Sequence, residues 1–331
     1  MPTKDARHLV FIHGLAKKPK PDALTDIWIA ALDQANPRPE RFGYDNPGLN
    51  VDDKAACTLT YWADVFYTDY ETDLSSYQEA VEQPSSIEGV TRTGDPAETL
   101  PLPDSVQEAE FLGAMSAKLG LGIALPDDAE PSASPPDDAE FKLERIPLPL
   151  GVKKAVMKRL IVEAYYYLFD KPFRRSDGVT FQTRSELQDR LIADLKRARA
   201  TADRVVIVAH SMGTMIAYDC LRNRPDCPAI DGLITLGSPL GIDEVQDRLR
   251  ANGAKRVDFP RDRLEGEWVN VYDRFDPVAA PDPKLANDFL DRGEPRVVDV
   301  NEQNWGEWRH TITHYLKGPK LRGALRRLMQ V

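Results

Sequence analysis

Residues 204–219, RVVIVAHSMGTMIAYD, hold an apolar β-branched run that gives way at a small residue and a serine to an apolar pattern of helical spacing. A continuous β-branched run has no polar face to offer to solvent, so it suits a strand covered on both sides. Shorter runs repeat the theme at HLVFI (8–12), CTLTYW (57–62), GLITL (232–236), EWVNVY (267–272) and PRVVDV (295–300). Helical patterns separate them, among them SELQDRLIADLKRARA (185–200). That alternation predicts βαβ units, a mostly parallel sheet and right-handed crossovers that place helices on both of its faces.

The 331 residues are 42% hydrophobic, enough for a sizeable core and against disorder throughout. A net charge of -10 argues against a nucleic-acid partner, because phosphate contacts need clustered Lys and Arg. Cys57, Cys220 and Cys227 are an odd set without CxxC spacing, so neither a disulfide framework nor a zinc ribbon is expected. The lead MPTKDARHLVFIHG runs from polar residues into a short strand without the long apolar core of a secretory signal, and no stretch is apolar enough to span a bilayer. A cytoplasmic protein is the expectation, with residues 1–331 as a single domain and 82–175 as an insertion within it.

The first part of that insertion, 82–145, is rich in Pro, Asp, Glu and Ser and contains PDDAE twice, at 126–130 and 136–140. Such composition buries little, so a mobile acidic surface loop is expected there. Next, VKKAVMKRLIVEAYYYLF (152–169) reads as a helix with apolar residues at helical spacing and Lys153, Lys154, Lys158 and Arg159 on other faces. A packed helix with a solvated basic face is preferred over a lid or membrane-interface helix, and membrane contact has no other support. GLG at 120–122 lacks a preceding strand and a third glycine, so no dinucleotide role is read into it.

The break in the opening run carries the chemistry. Ser211 stands two residues after Ala209 and two before Gly213. A tight strand-to-helix turn crowds those flanks, and small residues leave it room. Such a turn presents a serine hydroxyl at the carboxyl end of a parallel sheet and aims the N–H groups of the next helix at the same space. Ser211 could also serve only as the N-cap of that helix.

AHSMG (209–213) resembles the nucleophile elbow of the α/β-hydrolase superfamily, usually G-x-S-x-G, with Ala209 in place of the first glycine. The fold it implies is an α/β-hydrolase-like, mostly parallel sheet of about six strands, lacking the first two superfamily strands. The His-Gly pair in LVFIHGL (9–15) resembles the oxyanion loop, which implies the backbone N–H groups of Leu15 and Met212 as the oxyanion hole. Gly14 would give the chain room to approach substrate, and His13 would brace the loop. Superfamily order puts the acid after a later strand, where EWVNVYDRFDPVA (267–279) offers Asp273 and Asp276. Asp276 is preferred because DPVA resembles the acid loop of lipase-like members, leaving Asp273 as a loop-shaping or solvated residue.

Beyond the last strand lie only His310 and His314, in RHTITHYLKGPKL (309–321). The terminal H-x-I-x-x-Y-L-x-x-P pattern of lipase-like and peptidase-like hydrolases resembles His310, Ile312, Tyr315, Leu316 and Pro319, which implies His310 as the base. Spacing of four would also allow a metal pair, but no H-E-x-x-H glutamate or third ligand is evident, so no metal and no organic cofactor is expected. Gly237, Ser238 and Pro239 in LITLGSPLGI (233–242) resemble the GSP segment of lipases and carboxylesterases and would shape the site together with Gly213. His8 is read as merely packed or solvated, and His210 as support for the elbow.

Together the resemblance implies a serine hydrolase of a carboxylic ester, with a small-molecule or lipid acyl group as substrate and Ser211, His310 and Asp276 as its triad. A thioesterase or serine peptidase would use the same three residues, and a non-catalytic binding protein could keep the fold. The sequence names no protein partner.

Overall fold

Each of the six β-branched runs forms a strand, and all six pair in parallel within one sheet. The strands are β1 (Arg7–Ile12), β2 (Ala56–Thr60), β3 (Arg204–His210), β4 (Ile230–Leu236), β5 (Leu264–Tyr272) and β6 (Val297–Asn301). Their order across the sheet is β2-β1-β3-β4-β5-β6. The structure, a computed structural model, describes residues 6–74, 86–87, 90–91, 100–121, 150–306 and 308–331.

Successive side chains of a strand point to opposite faces, and here both faces are buried. Val205, Ile207 and Ala209 of β3 enter one hydrophobic core, while Val206 and Val208 enter the other. The first core is closed by helices α2 (Val106–Lys118), α3 (Leu150–Leu168), α4 (Thr183–Thr201), α5 (Met212–Asn223) and α6 (Asp243–Leu249). The second is closed by α1 (Pro21–Asp33), α7 (Ile312–Lys317) and α8 (Pro319–Met329). Both α1 and α8 start with proline, whose fixed φ suits the first helical turn and whose missing N–H would have no partner there.

Connectivity places the site. The chain leaves β1 for β2 through α1 on the second face, and leaves β3 for β4 through α5 on the first. Neighbouring strands β1 and β3 therefore send their connections in opposite directions, which makes their carboxyl ends a topological switch point. In open α/β sheets that switch point is where ligands bind. Residues 13–15 and 210–212 sit there.

The expected insertion holds regular structure, including the antiparallel pair Ser86–Ile87 and Val90–Thr91 and two helices. Residues 106–118, assigned to the acidic loop, instead form α2, which buries Phe111, Leu112 and Met115 in the first core. The physical reason is local: Ser105 accepts the Glu108 N–H at 3.2 Å, and the Glu108 carboxylate accepts the Asp104 N–H at 2.8 Å, a capped start that holds the apolar stripe in a helix. Helix α3 covers the expected 152–169 segment and buries Val156, Met157, Leu160, Ile161, Tyr165 and Leu168 in the same core. Residues 122–149, with both PDDAE copies, lie outside the described residues.

Arg322 of α8 is fully buried and donates to the carbonyls of Ala31, Leu316 and Asn46 at 2.7, 3.1 and 3.1 Å. Ala31 and Leu316 lie in the last turns of α1 and α7, so the cation meets the negative ends of two helices. Burial still lowers its pKa to about 10. Among the described residues, no helix is long and apolar enough to cross a membrane.

Candidate active site

Ser211 follows the last residue of β3 and precedes the first of α5, with φ 55° and ψ -128°. A left-handed φ is costly for a residue with a Cβ and persists only where surrounding contacts fix it. The Ser211 N–H donates to the Leu236 carbonyl at 2.9 Å, tying the turn to the end of β4. Its own carbonyl accepts the Thr214 hydroxyl at 2.7 Å, and Thr214 Oγ1 is 2.8 Å from Ser238 Oγ. Ser238 in turn accepts the Leu240 N–H at 3.2 Å. A chain of hydroxyls thus runs from the GSP segment to the backbone of the strained serine.

Glycine is required on both sides of this turn. A Cβ on Gly14 would lie 2.5 Å from Ser211 Cβ, and one on Gly213 would lie 2.6 Å from the His13 carbonyl oxygen. Gly237, with φ +53°, would place a Cβ 2.5 Å from Asp276 Oδ2. Real Cβ contacts are never so short, so the ends of β1, β3 and β4 pack backbone against the site.

The aspartate and histidine meet beyond the carboxyl ends of β5 and β6. His310 Nδ1 is 2.9 Å from Asp276 Oδ1 and 2.8 Å from Oδ2, with both side chains buried. Oδ1 also accepts the N–H groups of Val278 and Ala279 at 2.8 and 3.3 Å, and Oδ2 accepts the Tyr315 hydroxyl at 2.6 Å. A carboxylate offers only acceptors, so Nδ1 is the donor in this contact, and in the tautomer with its proton there Nε2 carries a lone pair. Among the described residues, neither His310 Nε2 nor Ser211 Oγ has a hydrogen-bond partner, although both atoms are buried.

His210, the residue before the serine, lies against that ring with centroids 4.5 Å apart. Its Nε2 donates to the His310 carbonyl at 2.9 Å. Burial, followed by the neighbouring His310, holds its pKa well below the ordinary histidine value, so the ring is neutral.

His13 is braced as tightly. Its Nε2 accepts the Trp62 N–H at 3.0 Å, which leaves the proton on Nδ1 to donate to the Gly14 carbonyl at 2.8 Å. The ring stacks on Trp62 at 4.6 Å, and burial lowers its pKa to about 3. Gly14 C=O and Leu15 N–H share one planar peptide, so holding the carbonyl directs the Leu15 N–H the opposite way. Met212 opens α5, and its N–H therefore has no acceptor within the helix.

The alternative acid and base stand elsewhere. Asp273 accepts the N–H groups of Phe275 and Asn304, both at 2.6 Å, and burial raises its pKa to about 6. Its N–H donates to Tyr315 Oη at 3.0 Å, so it shapes the loop that carries Asp276. His314 stacks on Trp305 at 4.0 Å, with its pKa lowered to about 3 by burial. No group of three or more His, Cys, Asp or Glu side chains among the described residues is arranged to hold a metal ion.

Compared with known proteins, the sequence matches no family model and no curated protein. Two participants went unread in the sequence. Tyr315 was noted only as part of a terminal pattern, yet its hydroxyl joins the loop of Asp273 to the carboxylate of Asp276. Glu163 of α3 accepts the Ala16 N–H in the loop after β1; the available signal was a lone carboxylate inside the apolar stretch LIVEAYYYL.

Proposed function

We propose that this chain is a serine hydrolase of the α/β-hydrolase type, acting on carboxylic esters through Ser211, His310 and Asp276. The observation that carries it is the buried Asp276–His310 pair, which leaves one ring nitrogen with a free lone pair at the carboxyl end of the sheet, where the strained Ser211 hydroxyl is also without a partner among the described residues. A buried polar atom without a partner calls for an explanation, and catalysis supplies one for both of these. Six parallel strands with Ser211 after the third, Asp276 after the fifth and His310 after the sixth also fit the superfamily order Ser, acid, His.

In this reading His310 Nε2 takes the proton from Ser211 Oγ as the oxygen adds to the ester carbonyl. Asp276 holds the tautomer and stabilises the imidazolium that forms. The N–H groups of Leu15 and Met212 receive the negative charge that develops on the carbonyl oxygen. The alcohol leaves with the proton from His310; water then attacks the acyl-enzyme with His310 again as base, and the Ser211–acyl bond breaks as His310 returns the proton to Ser211 Oγ and the carboxylic acid departs. The Ser211–His310 hydrogen bond forms as substrate enters, as is common where unliganded catalytic contacts are long.

A series of p-nitrophenyl esters of rising acyl length tests the activity. Turnover that rises with chain length supports an acyl-chain substrate, and a short-chain optimum contradicts it. Folded protein with no turnover of any member contradicts ester hydrolysis itself.

A further inference from the structure

The loop after β1 is held from a direction unrelated to the elbow. Glu163, well inside α3, is only 1% exposed, and its two carboxylate oxygens accept the Ala16 N–H at 3.0 and 3.2 Å. Ala16 itself has φ +72°, a left-handed conformation that residues with a Cβ avoid unless contacts impose it. The Tyr67 hydroxyl donates to the same carboxylate, and Arg159 donates to Tyr67 Oη at 2.5 Å. A hydrogen-bonded chain therefore runs from Arg159 through Tyr67 and Glu163 to the backbone of residue 16. A carboxylate in the apolar face of α3 costs desolvation that a leucine there would not, so packing alone does not account for it.

Peptide planarity turns these contacts into a direction. His13 fixes the peptide between Gly14 and Leu15 by its carbonyl, and Glu163 fixes the next one, between Leu15 and Ala16, by its N–H. Leu15 lies between two held planes, so the orientation of its N–H is set from both sides. We infer that Glu163 is a positioning residue for the oxyanion site, holding Ala16 left-handed so that the Leu15 N–H stays aimed at the developing oxyanion. The inference rests on the serine-hydrolase reading, in which that N–H is a catalytic donor.

The test compares a p-nitrophenyl ester with its thiono analogue, whose larger sulfur is a poor acceptor and gains little from an oxyanion hole. Glu163→Ala is expected to lower kcat for the ester by about tenfold or more with little change in KM, and to shrink the ester-to-thionoester rate ratio. Glu163→Gln, whose amide oxygen can still accept the Ala16 N–H, should recover most of both. Equal slowing of the two substrates, or no slowing, overturns the positioning role while leaving the hydrolase reading intact. If Glu163→Ala does not fold, Tyr67→Phe decides: a partial fall of the ratio supports the role, and an unchanged ratio overturns it. A folded wild-type protein inert towards both esters overturns the hydrolase reading and this inference with it.

Discussion

His310 donates from Nδ1 to both oxygens of Asp276, at 2.9 and 2.8 Å, and the aspartate has no exposed surface. The two oxygens are not equivalent. Oδ1 is committed to the N–H groups of Val278 and Ala279, whereas Oδ2 meets the Tyr315 hydroxyl.

That asymmetry decides what Asp276→Asn does. The amide oxygen must stay with the two backbone N–H groups, so the NH2 takes the place of Oδ2 and donates towards His310 Nδ1. The ring proton is then driven to Nε2, where it blocks acceptance from Ser211. Ester turnover should fall by about four powers of ten, with the circular dichroism spectrum unchanged. Loss below tenfold would show that Asp276 does not set the tautomer.

Tyr315→Phe removes a donor from Asp276 and the acceptor of the Asp273 N–H at a fully buried position. The unsatisfied N–H should lower stability in urea by about 1–3 kcal/mol. Turnover should fall by less than in Asp276→Asn, because the carboxylate remains.

Gly14→Ala forces a Cβ to within 2.5 Å of Ser211 Cβ, a contact that only displacement of the loop or of the elbow can relieve. Misplacement of reacting groups by about 1 Å costs roughly a hundredfold in rate, so turnover should drop at least that far. Steady-state kinetics on the folded variant checks it.

Much of this arrangement is legible in the sequence because it rests on local chemistry. RVVIVA carries an unbroken β-branched apolar run from Val205 to Val208, and the strand found, Arg204–His210, differs from the expected one by one residue. The turn at Ser211 is announced by the small residues the backbone contacts require. Helix α2 was hidden because acidic composition was weighed over a strip of many residues, while the Ser105–Glu108 cap that starts it spans four. Glu163 was hidden for a different reason. Its partner is a backbone N–H 147 positions away, and no spacing rule encodes such a contact.

His314 makes stability depend on pH. His314 is buried against Trp305 with its pKa lowered from 6.5 to about 3. Below pH 6.5 the unfolded chain takes up a proton there that the folded protein does not, so this group withdraws stability as pH falls. The slope is about 1.4 kcal/mol per pH unit. His314→Phe keeps an aromatic ring on Trp305 and abolishes the slope, so between pH 7 and pH 5 it should gain about 2 kcal/mol on the wild type in urea melts. It should also retain ester turnover, whereas His310→Ala should not.

The central claim is that Ser211 is a nucleophile activated by His310, and covalent labelling tests it most directly. Wild-type protein treated with a fluorophosphonate should gain the mass of one phosphonyl group, located by peptide mapping on the peptide carrying Ser211. Ser211→Ala should gain none, and His310→Ala should label far more slowly. Folded wild-type protein that takes up no label, or a label that persists in Ser211→Ala, would contradict the account.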